Sequence, residues 1–260
     1  ILGEPSNLAE IELILATTTT IGRIGFTDFE IHINERRILK AMALYSGFPE
    51  DAFDTVCIIL DKMDKIGRDG VAEELAKEGF DTAAIEKYLG LFDGVAHADN
   101  GLKYLADTLE GYLGEGVYEN LQEIISAVEA TKTAKFELVF DPTLVRGMGY
   151  YTGTIFEIVM PQLGAACGGG GRYDKMIGRF TGNDVPACGF SIGFERIVLL
   201  LMESNFKIPT QPAKKAYLIE KGYPSDKLVE VIGKAQAERA EGKQILVVRM
   251  NKNKKFQKEK

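Results

Sequence analysis

Between residues 144 and 196 the chain gathers three clusters whose residue types suit a phosphate-bearing or other polar ligand. The first is Leu144-Val-Arg146-Gly147-Met-Gly149-Tyr150-Tyr151-Thr-Gly153. An arginine flanked by glycines can bring a permanent bidentate cation close to a phosphate, because backbone and ligand meet with little steric hindrance. Two adjacent tyrosines supply a flat apolar wall and two hydroxyls. The same composition also fits a tight β-turn with surface aromatics. The second cluster is Cys167-Gly168-Gly169-Gly170-Gly171-Arg172-Tyr173-Asp174. No Gly-Lys-Ser/Thr follows, so it is not a P-loop, and nothing downstream completes a dinucleotide fingerprint. A flexible hairpin loop and a backbone surface shaped around a ligand both remain open. The third is Gly189-Phe-Ser-Ile-Gly193-Phe194-Glu195-Arg196 followed by an apolar run. A cation on the first turn of a helix is electrostatically unfavourable unless an anion lies near. That anion is either a nucleotide triphosphate or a carboxylate such as Glu195.

The elements that must position these clusters are legible in outline. Apolar residues recur at helical spacing over 8–22, and Phe29–Ile33 alternates like a strand with one buried face. Asn34 is the expected N-cap of a helix to about Tyr45, stopped by Gly47 and Pro49. From 48 to 135 the pattern is helical, with segments at Val71–Gly79, Thr82–Leu91, Leu102–Leu113 and Tyr118–Thr131. Strand texture returns at Phe136–Phe140, Thr154–Met160 and Ala187–Ile192, the last leading into a helix over Phe194–Glu203. After Pro209 and Pro212, strand Ala216–Glu220, helix Ser225–Glu241 and strand Gln244–Arg249 form a strand–helix–strand unit.

Bulk properties narrow the class. With 45% hydrophobic and 27% charged residues, the 260-residue chain has the balance of a soluble globular protein. No apolar run is long enough to span a bilayer, and no membrane association is expected. Cys57, Cys167 and Cys188 are scattered and odd in number, and His32 and His97 are the only histidines. Neither a disulfide framework nor a zinc site is expected, and the usage fits a reducing cytoplasm. The net charge of −7 combines a segment Arg249–Lys260 of six basic residues and one acidic, +5, with −12 over the rest. A basic tail on an acidic body fits either docking of one particular RNA or a solvated charge run.

Taken together, the clusters resemble the histidyl-tRNA synthetase family. Arg146-Gly-Met-Gly-Tyr-Tyr-Thr-Gly is similar to the family's first histidine-specific motif, and Gly-Gly-Gly-Arg172-Tyr173-Asp174 to the second. Gly193-Phe-Glu-Arg196 resembles motif 3 of class II aminoacyl-tRNA synthetases. The similarity extends to Leu60-Asp-Lys-Met-Asp-Lys-Ile-Gly67 and to Asn253-Lys-Lys-Phe-Gln257. The resemblance implies an α+β class II fold, an antiparallel sheet flanked by helices. Catalytic segments 1–47 and 136–206 would enclose a helical insertion at 48–135. A linker at 207–213 would lead to an incomplete anticodon-binding α/β module at 214–260. It further implies ATP and Mg2+, L-histidine and tRNA(His) as substrates and partners, a homodimer and a cytoplasmic location.

By the same resemblance, Arg146 is expected to hold the α-phosphate and the substrate carboxylate. Tyr150, Tyr151 and Tyr173 would line the imidazole pocket, with Gly168 to Gly170 as its floor. Gly193 and Arg196 would bind ATP, and Arg249, Lys252, Lys254 and Lys255 would contact tRNA; no protein side chain is assigned to metal. Gly149 stands where the family often has Asp or Asn, so no polar role is expected there. The family's motifs 1 and 2 are expected to precede Ile1, and this chain alone is not expected to catalyse adenylation. The rival expectation is the histidine-binding regulatory subunit of ATP phosphoribosyltransferase, which generally lacks the arginine–tyrosine motif and the anticodon module.

Overall fold

The structure is a computed structural model and describes residues 1–146, 149–204, 206 and 214–250. Helix α1 (Leu8–Ile24) is closed by Gly25 in the left-handed conformation, and β1 (Phe29–Glu35) follows. Helix α2 (Arg36–Ser46) ends at Gly47, whose φ of 102° only glycine adopts readily. Asn34 is not the cap of α2, as expected, but a strand residue. Pairing of Glu35 with Thr154 carries β1 one residue further, and the Glu35 carboxylate caps α2 by accepting from Arg37 N.

Helices α3 (Phe53–Leu60), α4 (Met63–Lys77), α5 (Thr82–His97), α6 (Gly101–Thr108) and α7 (Val117–Thr131) follow. Helix α3 was not expected, since Thr55, Val56, Ile58 and Ile59 give it β-branched texture. Burial of Val56, Cys57, Ile59 and Leu60 outweighs that weak local preference. Helix α4 starts eight residues earlier than the periodicity indicates, across a kink at Gly67 with φ 69° and ψ 177°.

Strands β2 (Phe136–Phe140), β3 (Thr154–Met160) and β4 (Ala165–Arg172) are followed by α8 (Asp174–Thr181), β5 (Cys188–Ile192) and α9 (Phe194–Glu203). The sheet has the order β2-β1-β3-β4-β5 and is antiparallel except for the β1–β2 pair. That parallel pair needs a long crossover, which the helices from α2 to α7 supply. The glycine run is neither hairpin nor loop: Gly168 to Gly171 lie inside β4, bonded to β3 and β5 on either side.

Register assigns each side chain to a face. Ile31, Ile33, Phe156 and Ile158 are fully buried on the face toward α2 and α7. Glu30, His32, Asn34 and Glu157 alternate onto the opposite face, with Gly169 and Gly171 of β4 beside them. Arg172 anchors the buried side to α1. Its Nε and Nη2 each donate to a Glu10 carboxylate oxygen at 2.6 Å, and Glu10 is only 1% exposed.

Residues 1–200 form one compact unit and 201–260 another. In the second, β6 (Lys214–Ile219) and β7 (Gln244–Arg249) pair in parallel around α10 (Ser225–Ala240), as the strand–helix–strand pattern indicates. Among the described residues no helix is long and apolar enough to cross a membrane.

Candidate active site

The polar face of the sheet brings together Arg146, Tyr150, Tyr151 and Tyr173. Arg146 sits between β2 and β3 at φ 49°, a left-handed conformation that costs a non-glycine residue about 1–2 kcal/mol. Its surroundings hold it there. Val145 is buried, and the Leu144 carbonyl accepts from Asn34 Nδ2 at 2.9 Å. Asn34 is itself fully buried, and its Oδ1 accepts from Glu35 N at 2.8 Å. Arg146 Nη1 donates to Glu157 Oε2 at 2.9 Å, with both side chains partly exposed. The guanidinium lies over Gly169, where a built Cβ would come 2.6 Å from Arg146 Cζ.

Tyr150, Tyr151 and Tyr173 meet although Tyr173 is 22 residues on from Tyr151. Ring centroids are 4.4 Å apart for Tyr150 and Tyr151, 5.9 Å for Tyr150 and Tyr173, and 6.4 Å for Tyr151 and Tyr173. The Tyr150 hydroxyl donates to the Tyr151 hydroxyl at 3.2 Å. Burial pushes the Tyr151 hydroxyl well above the usual phenol range, with Tyr150 adding to the shift and Arg146 opposing it. Tyr173 is raised by burial too, so both act as neutral hydrogen-bonding groups at ordinary pH. Because Tyr151 is only 7% exposed, the first cluster is more than a turn with surface aromatics.

The glycines divide by face. Side chains at Gly169 and Gly171 would strike Arg146 and the Tyr151 ring. Side chains at Gly168 and Gly170 would instead meet the Ser191 and Gly189 carbonyls, with the Phe190 ring also close to Gly168. The missing side chains at Gly168 and Gly170 therefore make room for β5, not for a ligand beside Arg146. Gly169, which lies within the expected floor Gly168 to Gly170, and Gly171 are the glycines that face Arg146 and the Tyr151 ring. Alternation with period two is the reason.

Gly193 joins β5 to α9 and donates its N–H to the Cys167 carbonyl at 2.6 Å. On the first turn of α9, Arg196 reaches back and donates to the Ala166 carbonyl; among the described residues it has no ion pair with Glu195. Ala166 and Glu157 both line one cleft of about 260 Å3, which runs under His32, Asp141 and Thr143 and along Leu60, Asp61, Met63 and Asp64. Cys167 lies near both Arg196 and Glu157, and burial pushes its thiol up to about 11, which keeps it neutral. Arg249 ends β7, whereas Lys252, Lys254 and Lys255 lie outside the described residues, as does the expected linker at 207–213.

Glu157, His32, Asp141 and the site role of Asn34 were missed from sequence. The available signal was faint: Glu157 is the only charge in Thr-Ile-Phe-Glu-Ile-Val-Met, an oddity for a buried strand.

The mostly antiparallel five-stranded sheet with its helices is a fold shared with solved structures. The crystal structure of histidyl-tRNA synthetase from Nostoc sp. PCC 7120 superposes with a TM-score of 0.77 at 23% identity, covering 99% of this chain and 61% of that one. A structure described as an ATP phosphoribosyltransferase regulatory subunit/histidyl-tRNA synthetase from Bacillus halodurans C also gives 0.77, at 20% identity, over 100% of this chain and 64% of that one. The family model described as histidyl-tRNA synthetase matches residues 1–197. The histidine–tRNA ligase of Leifsonia xyli subsp. xyli (strain CTCB07) is 48% identical over 206 residues, 77% of this chain and 47% of that protein. The chain belongs to the histidyl-tRNA synthetase family. It spans about half the length of the curated relatives it matches.

Proposed function

We propose that this chain is the histidine- and ATP-handling part of a histidine–tRNA ligase. The observation that carries the reading is Arg146, held by Glu157 over Gly169 beside three converging tyrosines, with Arg196 bonded to Ala166 in the same strand, β4. In the proposed reaction a carboxylate oxygen of histidine attacks the α-phosphorus of ATP. The bond from that phosphorus to the bridging oxygen breaks, and pyrophosphate leaves with the electron pair. Arg146 would stabilise charge building on the α-phosphate oxygens. Its bond to Glu157 fixes the fork before substrate arrives, so little reorganisation is left for the transition state.

Tyr151 and Tyr173 would border the imidazole, with Tyr150 packed against them. Arg196 would exchange the Ala166 carbonyl for adenine and the triphosphate, combining stacking with charge. A magnesium ion would be carried mainly by the phosphates. Such an ion would supply Lewis-acid charge neutralisation. The histidyl group would then pass from the adenylate to the 3′ end of tRNA(His), with Arg249 and the lysines after it contacting RNA.

The domain scheme belongs to the same proposal: catalytic segments 1–47 and 136–206, a helical insertion at 48–135, a linker at 207–213 and an anticodon-binding module from 214 to 260. A homodimer and a cytoplasmic location complete it. The test is histidine-dependent ATP–pyrophosphate exchange, run on the chain by itself and on a longer protein that carries it together with the family's preceding motifs. Exchange in the longer protein is expected. Absence of exchange in both, with histidine still bound, would favour a regulatory histidine-binding role.

A further inference from the structure

His32 lies outside every motif discussed above, yet it sits at the root of the segment that ends in Arg146. Its Nδ1 is 2.8 Å from Asp141 Oδ2, and its Nε2 is 2.8 Å from Glu30 Oε2. Both ring nitrogens thus face carboxylate oxygens, which accept only. A neutral imidazole has a single N–H and would point a lone pair at one of them; the imidazolium satisfies both. Asp141 is in turn the organiser of the segment. Its N–H donates to the Ile33 carbonyl at 3.0 Å, and its Oδ1 accepts from Thr143 N at 2.8 Å and Thr143 Oγ1 at 2.6 Å. Asn34 then takes up the Leu144 carbonyl, two residues before Arg146.

We propose that His32, clamped between Glu30 and Asp141, is a positioning residue for Arg146: it fastens segment 141–146 to β1 and so sets where the guanidinium reaches. The charges around it give the clamp its sign. Glu30 shares its strand, Glu157 stands opposite it in the β1–β3 register, Asp141 comes from the segment, and Asp61 after α3 and Asp64 in the first turn of α4 line the same cleft. Among the described residues lining that cleft, His32 is the only basic one. Loss of its proton would leave only acidic charges among the lining residues and remove one of the two contacts. The carboxylates hold the imidazole protonated up to about 9, Asp141 most strongly, against the opposing effect of burial.

The proposal rests on the ligase reading only for its consequence, since the clamp itself is testable in the chain alone. The chain has two histidines, so imidazole NMR signals are assigned with His97→Gln, and the Arg146 13Cζ signal with Arg146→Lys. His32 is expected to titrate near 9. In Asp141→Asn its midpoint should fall by at least about one unit, as expected for loss of a neighbouring opposite charge. The Arg146 signal should move with the same midpoint as His32. Titration of His32 near the ordinary 6.5, or an Arg146 signal indifferent both to that titration and to Asp141→Asn, would overturn the proposal. In the longer protein, His32→Gln should lower kcat for exchange by about 10–100-fold, leave KM nearly unchanged and abolish the alkaline limb, with His32→Lys restoring part of the rate. An equal loss in the Gln and Lys variants, with no change in pH profile, would mark His32 as merely structural. Absence of exchange in the unsubstituted protein would count against the ligase reading and leave the NMR result standing.

Discussion

Adjacent glycines in β4 should respond to the same substitution in opposite ways. In Gly170→Ala the new methyl lands on the Gly189 carbonyl and 2.9 Å from Phe190 Cα, both backbone of β5. Neither can rotate aside, so the strands must part. About two ladder hydrogen bonds are lost or stretched, at about 1 kcal/mol each. The Phe156–Phe190 stack, with centroids 5.4 Å apart, weakens by up to about 1 kcal/mol. Overpacking strain adds about 1–3 kcal/mol. The reduced entropy of the unfolded chain returns about 0.5–1 kcal/mol. The net cost is about 3–5 kcal/mol, a fall of roughly 6–20 °C in Tm for a unit of this size.

In Gly169→Ala the methyl meets the end of the Arg146 side chain, which can swing away, together with the Phe156 carbonyl at 2.9 Å. Stability should fall by only about 1–2 kcal/mol, but Arg146 is driven off Glu157. Exchange activity in the longer protein should then drop by about 100–1,000-fold, the loss typical of a misplaced transition-state cation. Thermal unfolding followed by far-UV circular dichroism reads the first effect, and pyrophosphate exchange the second. A Gly170→Ala protein melting within a few degrees of wild type would refute the assignment of faces, as would a Gly169→Ala protein with full activity.

Three further outcomes are expected. Glu10→Ala should cost about 3–5 kcal/mol in urea unfolding, because it strands the Arg172 guanidinium without its bidentate partner. The double change Glu10→Leu with Arg172→Met should cost less than Glu10→Ala alone; a larger, additive loss would show that the pair is not coupled. The His32 pKa is raised on folding, so its stabilisation is complete below about 6.5 and is lost as pH rises through about 9. It amounts to about 3 kcal/mol at most, and Asp141, lowered on folding, loses its own contribution only in acid. Urea midpoints across pH 6 to 10 should decline in the wild type and flatten in His32→Gln; parallel curves would contradict the clamp. Tyr173→Phe, read by isothermal titration, should weaken histidine binding by about 0.5–1.5 kcal/mol, and unchanged affinity would remove its hydroxyl from the pocket.

Much of the architecture was legible locally. Helices α1, α7, α9 and α10 and strands β2, β3 and β7 carry their own period, and the Arg146, Tyr173 and Arg196 motifs announce a family by residue type and spacing alone. Those features depend on neighbours within a few positions, so a linear reading captures them. Helix α3 escaped because its β-branched residues point one way and its burial the other.

What the tertiary structure decided is which side of the sheet each residue faces and what it meets there. Glycine has no side chain to betray its face, so the run in β4 reads as a loop until β3 and β5 are placed on either side of it. A shift of one residue would exchange Gly169 for Gly170 and move the open floor from Arg146 to Phe190. His32, Asp141 and Glu157 are over a hundred residues apart at their extremes, and nothing in their spacing links them. They converge because the parallel pairing of β1 with β2 carries Asp141 to the end of β1, while the antiparallel pairing with β3 sets Glu157 opposite His32. Sequence by itself therefore showed most of the elements and the chemical vocabulary, and cross-strand register, a long-range property of the folded chain, determined which of those groups could act together.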